Sequence, residues 1–178
     1  MEQNISLYIG DNASGKTRIL KEIMKQEKRN NNAVVTNLNP YRLNYIPDKN
    51  KKQLLLNSNN RLVDVLIADE KIESIYDSQV KSLLELIYAK GDILLIDELD
   101  ASLKTQDIVY VATAISDCRH LWKRIYINGY SDYITRVFTD YDKETYIEST
   151  NYNLYYVNDN MHITKITEED ACGYFDKI

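Results

Sequence analysis

Apolar residues follow two patterns along this chain: short runs, and stretches in which they recur every three or four residues. Short runs are typical of strands buried in a sheet, and the wider spacing is typical of helices with one buried face. The runs predict strands at residues 5–9, 33–36, 93–96, 125–127, 145–148, 153–157 and 161–166. The spaced stretches predict helices at residues 18–29, 61–68, 78–89, 105–120 and 133–138.

The order of these elements predicts the fold class. Strands and helices alternate up to residue 138, which is typical of a mostly parallel sheet flanked by helices, an α/β fold. The turn-forming residues Asn158, Asp159 and Asn160 then predict an antiparallel hairpin near the C-terminus. Residues 37–60 are rich in Asn and Lys and contain both prolines, so irregular structure is expected there. No linker is evident, and we expect a single domain over residues 1–178.

Charge and composition narrow the classes of function. The net charge of −5 argues against a broad basic face, so nucleic acid is expected only through a partner protein. No apolar run approaches the roughly 18 residues that span a bilayer, so we expect no direct membrane insertion. The two cysteines, Cys118 and Cys172, lack the paired spacing of a zinc site. The first residues lack the pattern of a signal peptide, so a cytoplasmic location is expected.

Residues 10–17, Gly-Asp-Asn-Ala-Ser-Gly-Lys-Thr, match the phosphate-binding pattern G-x-x-x-x-G-K-[ST] between a predicted strand and a predicted helix. In such a loop the backbone N–H groups and the helix dipole attract phosphate oxygens. We expect Lys16 to reach the β- and γ-phosphates of ATP, or alternatively GTP, and to act in catalysis by stabilising their charge. The Thr17 hydroxyl is expected to bind Mg²⁺. The alternative is a Gly-rich turn that caps an amphipathic helix and binds no ligand. The predicted nucleotide-binding residues are Asp11, Asn12, Ala13, Ser14, Gly15, Lys16, Thr17 and Arg18.

An acidic pair, Asp97 and Glu98, directly follows the apolar run at residues 93–96. The carboxyl end of a buried strand faces the same crevice as the phosphate loop. Asp97 is therefore predicted to hold Mg²⁺ through water. Glu98 is predicted to be the catalytic base that polarises the attacking water. The alternative is an acidic pair that merely ends a strand at solvent.

Taken in order, these segments resemble the ABC-type P-loop ATPases, the superfamily of ABC transporter motors and of SMC and OLD-like ATPases. Residues 10–17 are similar to their Walker A motif, and residues 97–103 to their Walker B motif and the start of the D-loop. Residues 43–48 resemble the Q-loop, with Asp48 where the family has Gln, which implies a further metal ligand. Residues 127–131 occupy the place of the family's switch, with Tyr130 instead of His, which implies a catalytic role for Tyr130.

Several departures bear on what the resemblance implies. The best counterpart of the family's Ser-Gly-Gly signature, Asp77-Ser78-Gln79, lacks both glycines and could instead be a helix cap. Lys104 stands where a transporter D-loop has Asp. The helical and Q-loop-like insertion, at about residues 40–90, is reduced. The expected protein is therefore a compact ATPase rather than a transporter motor.

Three functions stay open at this point. The first is slow hydrolysis of ATP with Mg²⁺ by a protein that drives or gates a partner, as a homodimer or with a different protein. The second is a nucleotide-gated regulatory subunit with little turnover, which the departures at Tyr130 and in the signature favour. The third is a small P-loop kinase, which the presence of Glu98 disfavours. An assay of turnover with and without a phosphate acceptor separates them.

Overall fold

The structure, a computed structural model, describes residues 4–36, 78–89, 91–100, 103–129, 152–167 and 170. Several predictions fall outside these residues: the helices at 61–68 and 133–138, the strand at 145–148, the irregular segment at 37–60 and most of the insertion at about 40–90. No helix in the described part of the chain is long and apolar enough to cross a membrane.

The described elements lie where the apolar pattern predicts them, with ends that shift by at most two residues. In chain order they are β1 (Ile5–Ile9), α1 (Lys16–Arg29), β2 (Val34–Thr36), α2 (Ser78–Ile87), β3 (Ile93–Ile96), α3 (Thr105–Cys118), β4 (Arg124–Asn128), β5 (Tyr152–Val157) and β6 (Ile163–Ile166). A short 3₁₀ turn, Arg119–Leu121, follows α3. The turn predicted between the last two strands is also present, since Met161 donates its backbone N–H to the carbonyl of Asn158.

The strands form one sheet in the order β2-β3-β4-β1-β5-β6. All neighbours run parallel except β5 and β6, which are antiparallel. This arrangement confirms the predicted α/β class with an antiparallel hairpin near the C-terminus. β4 comes late in the sequence but lies between β1 and β3, with Leu7 paired to Ile127 and Ile127 paired to Ile96. The carboxyl ends of these three strands therefore meet at one edge.

The core consists of two apolar layers, one on each face of the sheet. β3 contributes to both, because Leu94 and Ile96 pack in the layer that α2 and α3 cover, and Ile93 and Leu95 pack with α1. All four side chains of β3 are fully buried. This confirms that the apolar run at residues 93–96 is a strand covered on both faces, as parallel sheets require.

Glu27 fixes the far end of α1 to the sheet. Its buried carboxylate accepts hydrogen bonds from Asn32 Nδ2 at 2.6 Å, Arg124 at 3.1 Å and the Tyr126 hydroxyl at 3.2 Å. A buried carboxylate is tolerated only when donors surround it, as they do here. α1 is thereby held over β4, with its first turn against the carboxyl ends of the strands.

Candidate functional site

The loop between β1 and α1 curls tightly, and its glycines are sterically required. Gly10 has a φ of 147°, and a Cβ there would lie 2.2 Å from the backbone oxygen of Val157. Gly15 has a φ of 95°, and a Cβ there would lie 2.6 Å from Met161 Cγ. Ala13 between them also has a positive φ of 64°. Glycine adopts such backbone angles at no steric cost, so the two glycines of the motif set the shape of the loop.

Lys16 extends back into this curl. Its side chain is almost fully buried, and Nζ donates to the backbone oxygens of Gly10 and Asp11, each at 2.6 Å, and to Ser14 Oγ at 3.3 Å. Burial lowers the pKa of Lys16, and the nearby acidic side chains oppose this effect, Asp100 most strongly. An ammonium group thus lies inside the loop among neutral oxygen atoms, where it can attract an anion.

A cavity of about 490 Å³ opens over the loop, within the size range of small-molecule sites. It is lined by Asn12, Ala13, Ser14, Gly15, Lys16, Thr17, Arg18, Lys21 and Glu98. The lining thus holds every predicted nucleotide-binding residue except Asp11, which lies in the loop itself. Its charged members are three cations and one carboxylate, a composition that suits phosphate. Lys21, which the motif did not predict, follows Thr17 by four residues and so lies on the same face of α1.

Asp97 lies beside this cavity and contacts the first turn of α1. Its side chain is buried, and Oδ1 accepts hydrogen bonds from Thr17 Oγ1 at 3.0 Å and from Asn128 Nδ2 at 2.5 Å. Burial raises the pKa of Asp97, and the negative charge of Glu98 adds to this effect, while the two hydrogen bonds oppose it. Two of the three metal ligands expected from the sequence, Thr17 and Asp97, are therefore in direct contact.

Glu98 turns away from the strand and reaches the cavity. Its backbone has a φ of 51°, which is unusual for a residue other than glycine. Its N–H donates to Asn128 Oδ1 at 2.5 Å, and the N–H of Leu99 donates to the backbone oxygen of Asn128 at 3.1 Å. The turn after β3 thus points one carboxylate, Asp97, at α1 and the next, Glu98, into the cavity.

Sequence reasoning missed Asn128, which is fully buried at the end of β4. The segment at residues 127–131 was compared with the family's switch, but only Tyr130 was given a role. The available signal was a polar amide at the end of the apolar run Ile125–Ile127, next in space to Asp97. Tyr130 and Asp48 lie outside the described residues, so their catalytic and metal-binding roles stay predictions.

The donor set fits Mg²⁺, a hard cation that proteins usually hold with one or two oxygen ligands together with substrate phosphates. Thr17 and Asp97 supply such oxygens. A bound cation would also offset the cost of holding the buried negative charge of Asp97 beside that of Glu98. Within the described ranges, no group of three His, Cys, Asp or Glu side chains converges to hold a metal by itself. This site suits a cation shared with a phosphate chain.

The same fold occurs in solved structures. One similar chain is RNase-L Inhibitor, an ABC-family ATPase, which superposes with a TM-score of 0.59 at 16% sequence identity. The superposition covers 97% of this chain and 36% of that one, so this chain spans about a third of its length. No protein-family description and no curated protein matches the sequence. The likeness establishes a P-loop NTPase-like α/β fold.

Proposed function

We propose that this protein binds ATP with Mg²⁺ and hydrolyses it slowly, as a compact ABC-type ATPase that drives or gates a partner. One observation carries the proposal: the loop at residues 12–17 lines a cavity that Glu98 also lines, and Asp97 lies beside it, hydrogen-bonded to Thr17. A Gly-rich turn that only capped a helix would require neither a buried lysine within the loop nor an acidic pair at its mouth.

Binding is assigned to the loop and the first turn of α1. Phosphate oxygens replace the carbonyl oxygens that Lys16 contacts, and the backbone N–H groups of the loop supply further donors. Arg18 and Lys21 add positive charge at the rim of the cavity. Thr17 and Asp97 would hold Mg²⁺, which neutralises negative charge on the β- and γ-phosphates when bound.

Hydrolysis is assigned to Glu98. Asp97 is poorly suited to take a proton from water, because Thr17 and Asn128 both donate to its Oδ1 and its side chain is buried. Glu98 is only half-buried and lines the cavity, so its carboxylate can orient a water molecule against the γ-phosphate and accept its proton. Two adjacent carboxylates thus receive different tasks from their different surroundings.

Lys16→Ala tests the binding half of the proposal. We expect calorimetric titration with ATP and Mg²⁺ to show affinity lost or strongly reduced, because the ammonium that faces the phosphates is removed. Circular dichroism should stay unchanged, since Lys16 is not part of the apolar core. Lys25→Ala is the matched control, because Lys25 lies on the same helix but is exposed and paired with Glu22. Equal affinity in Lys16→Ala and the unmodified protein would show that the loop does not bind the nucleotide.

A nucleotide-gated regulatory subunit with little turnover is the second candidate. The sequence favours it at two places, since Tyr130 stands where the family's switch has His and the segment Asp77-Ser78-Gln79 lacks both glycines of the signature. Both candidates predict ATP binding. Steady phosphate release supports the ATPase, and binding without release supports the regulatory subunit. Release that depends on an added phosphate acceptor would instead support the kinase alternative.

A further inference from the structure

Asn128 contacts both acidic residues of the site without lining the cavity. Its side-chain amide donates through Nδ2 to Asp97 Oδ1 and accepts through Oδ1 from the backbone N–H of Glu98, both at 2.5 Å. Its backbone oxygen accepts from the N–H of Leu99 at 3.1 Å. One fully buried residue therefore holds three consecutive residues that follow β3.

We propose that Asn128 is the positioning residue that sets the directions of the Asp97 and Glu98 carboxylates, and that it serves hydrolysis and Mg²⁺ binding rather than nucleotide affinity. The inference rests on the proposed ATPase function and extends it to a residue outside the cavity. Asn128 acts through its neighbours and does not touch the nucleotide.

The Asn128 amide is polar in one direction. A donor at one end and an acceptor at the other match a carboxylate oxygen on Asp97 and a backbone N–H on Glu98 in a single orientation. Asp97 Oδ1 accepts one hydrogen bond from Asn128 and one from Thr17. The two bonds together fix the plane of the carboxylate beside the Thr17 hydroxyl. Removal of a residue that orients a metal ligand in this way typically lowers metal affinity or activity by about 10–100-fold.

Asn128 also holds the backbone at Glu98. A φ of 51° is unfavourable for a residue with a side chain and persists when surrounding bonds hold it. The bonds from Glu98 N and Leu99 N to Asn128 do so. If the backbone of Glu98 relaxed to a negative φ, its Cβ would leave the direction of the cavity, and the carboxylate with it.

The place of β4 in the sheet connects Asn128 with the strand that leads into the phosphate loop. Asn128 pairs with Tyr8 of β1, and the N–H of the next residue, Gly129, donates to the Tyr8 oxygen at 3.2 Å. The strand that carries Asn128 thus fixes the spacing between the phosphate loop after β1 and the acidic pair after β3. A substitution of the Asn128 side chain can therefore displace the acidic pair while the phosphate loop stays in place. We expect it to lower turnover and leave the affinity for ATP unchanged.

The test compares Asn128→Ala and Asn128→Ser with the unmodified protein in three measurements. ATP affinity without Mg²⁺, measured in EDTA, should change less than about twofold. The turnover number should fall about 10–100-fold in Asn128→Ala, and half-saturation with Mg²⁺ should require about tenfold more metal. Asn128→Ser keeps a hydroxyl that can donate and accept, so it should recover part of both losses. Asn153→Ala, which removes an amide from β5, a strand that β1 separates from β4, is the matched control and should behave as unmodified protein.

The outcomes separate this inference from the proposed function. Unmodified turnover in Asn128→Ala, or an equal loss of ATP affinity in EDTA, would overturn the positioning role. The same holds if Asn128→Ser, folded by circular dichroism, behaves no better than Asn128→Ala. An unmodified protein that neither binds nor hydrolyses ATP would overturn the proposed function first, and this inference with it.

Discussion

Glu98→Gln is the perturbation that isolates chemistry from binding in this site. Glutamine has nearly the size and shape of glutamate and can still hydrogen-bond to water, but it cannot accept a proton. The backbone of residue 98 keeps its N–H bond to Asn128 and its φ of 51°, because neither depends on the side chain. Lys16, Thr17 and Asp97 are unchanged, so the groups assigned to phosphate and Mg²⁺ stay in place.

The expected loss follows from the role assigned to Glu98. A positioned general base contributes about 10²–10⁴-fold to a rate. At about 1.4 kcal/mol for each factor of ten, this corresponds to about 3–5 kcal/mol of the activation free energy. ATP affinity should change little. Glu98 is the one negatively charged residue in the described part of the lining, so its removal favours slightly tighter binding of the phosphates. The variant is thus expected to bind ATP without releasing phosphate.

Two assays on the same sample test this expectation. Phosphate release measures turnover, and light scattering with and without ATP and Mg²⁺ measures self-association. If ATP closes a homodimer, the variant should accumulate as the dimer, since only hydrolysis reopens it. Glu22→Gln is the matched control, because it makes the same chemical change at an exposed carboxylate of α1. Normal turnover in Glu98→Gln would show that Glu98 is not the base. Lost turnover without an ATP-dependent dimer would favour a different partner protein over self-association.

Three further substitutions test other parts of the molecule. Gly10→Ala forces a Cβ to within 2.2 Å of the Val157 oxygen at a φ of 147°, and urea denaturation should show a loss of about 2–4 kcal/mol. An unchanged midpoint would contradict the packing described for the loop. Glu27→Gln places a donor among the donors of Asn32, Arg124 and Tyr126, so unfolding should become about 1–3 kcal/mol easier while ATP affinity stays unchanged. Tyr130→His should raise phosphate release if residue 130 lies near the γ-phosphate, because imidazole can hydrogen-bond a phosphate oxygen. A lower or equal rate would speak against that position.

Most of the fold could be predicted because its signals are local. The run Ile93–Ile96 is apolar at every position, so burial on both faces was its simplest explanation, and β3 is buried in that way. The helix α1 ends at Arg29, directly before the three asparagines at residues 30–32, as predicted. The phosphate loop could be predicted for the same reason, because its motif lies within eight consecutive residues and its glycines adopt the positive φ angles that the loop requires. That Asp97 would face the same crevice as the loop followed from the rule that carboxyl ends of parallel strands share an edge, and its hydrogen bond to Thr17 agrees with that position.

What the sequence could not supply is the spatial order of the strands. Residues 97–123 separate β3 from β4 along the chain, yet β4 lies between β3 and β1 in the sheet. Nothing in the local pattern of Arg124–Asn128 encodes that insertion, because any buried strand of this length would carry the same apolar residues. The amide of Asn128 gains its partners only from the register that pairs it with Tyr8, and pairs Ile127 with Ile96. A shift of one residue would turn its side chain to the other face of the sheet.

This dependence on register explains why the two acidic residues were easier to find than the residue that holds them. Asp97 and Glu98 are adjacent in sequence and follow an unmistakable strand, so their chemistry could be inferred from position alone. Asn128 acquires its role from three bonds to residues about thirty positions earlier in the chain, Asp97, Glu98 and Leu99. The backbone of Glu98 shows the same dependence, since its positive φ is held by a bond to β4, a strand later in the sequence. The direction of the proposed base is thus a property of the assembled sheet, and substitutions at the end of β4 should affect hydrolysis as strongly as many substitutions within the cavity.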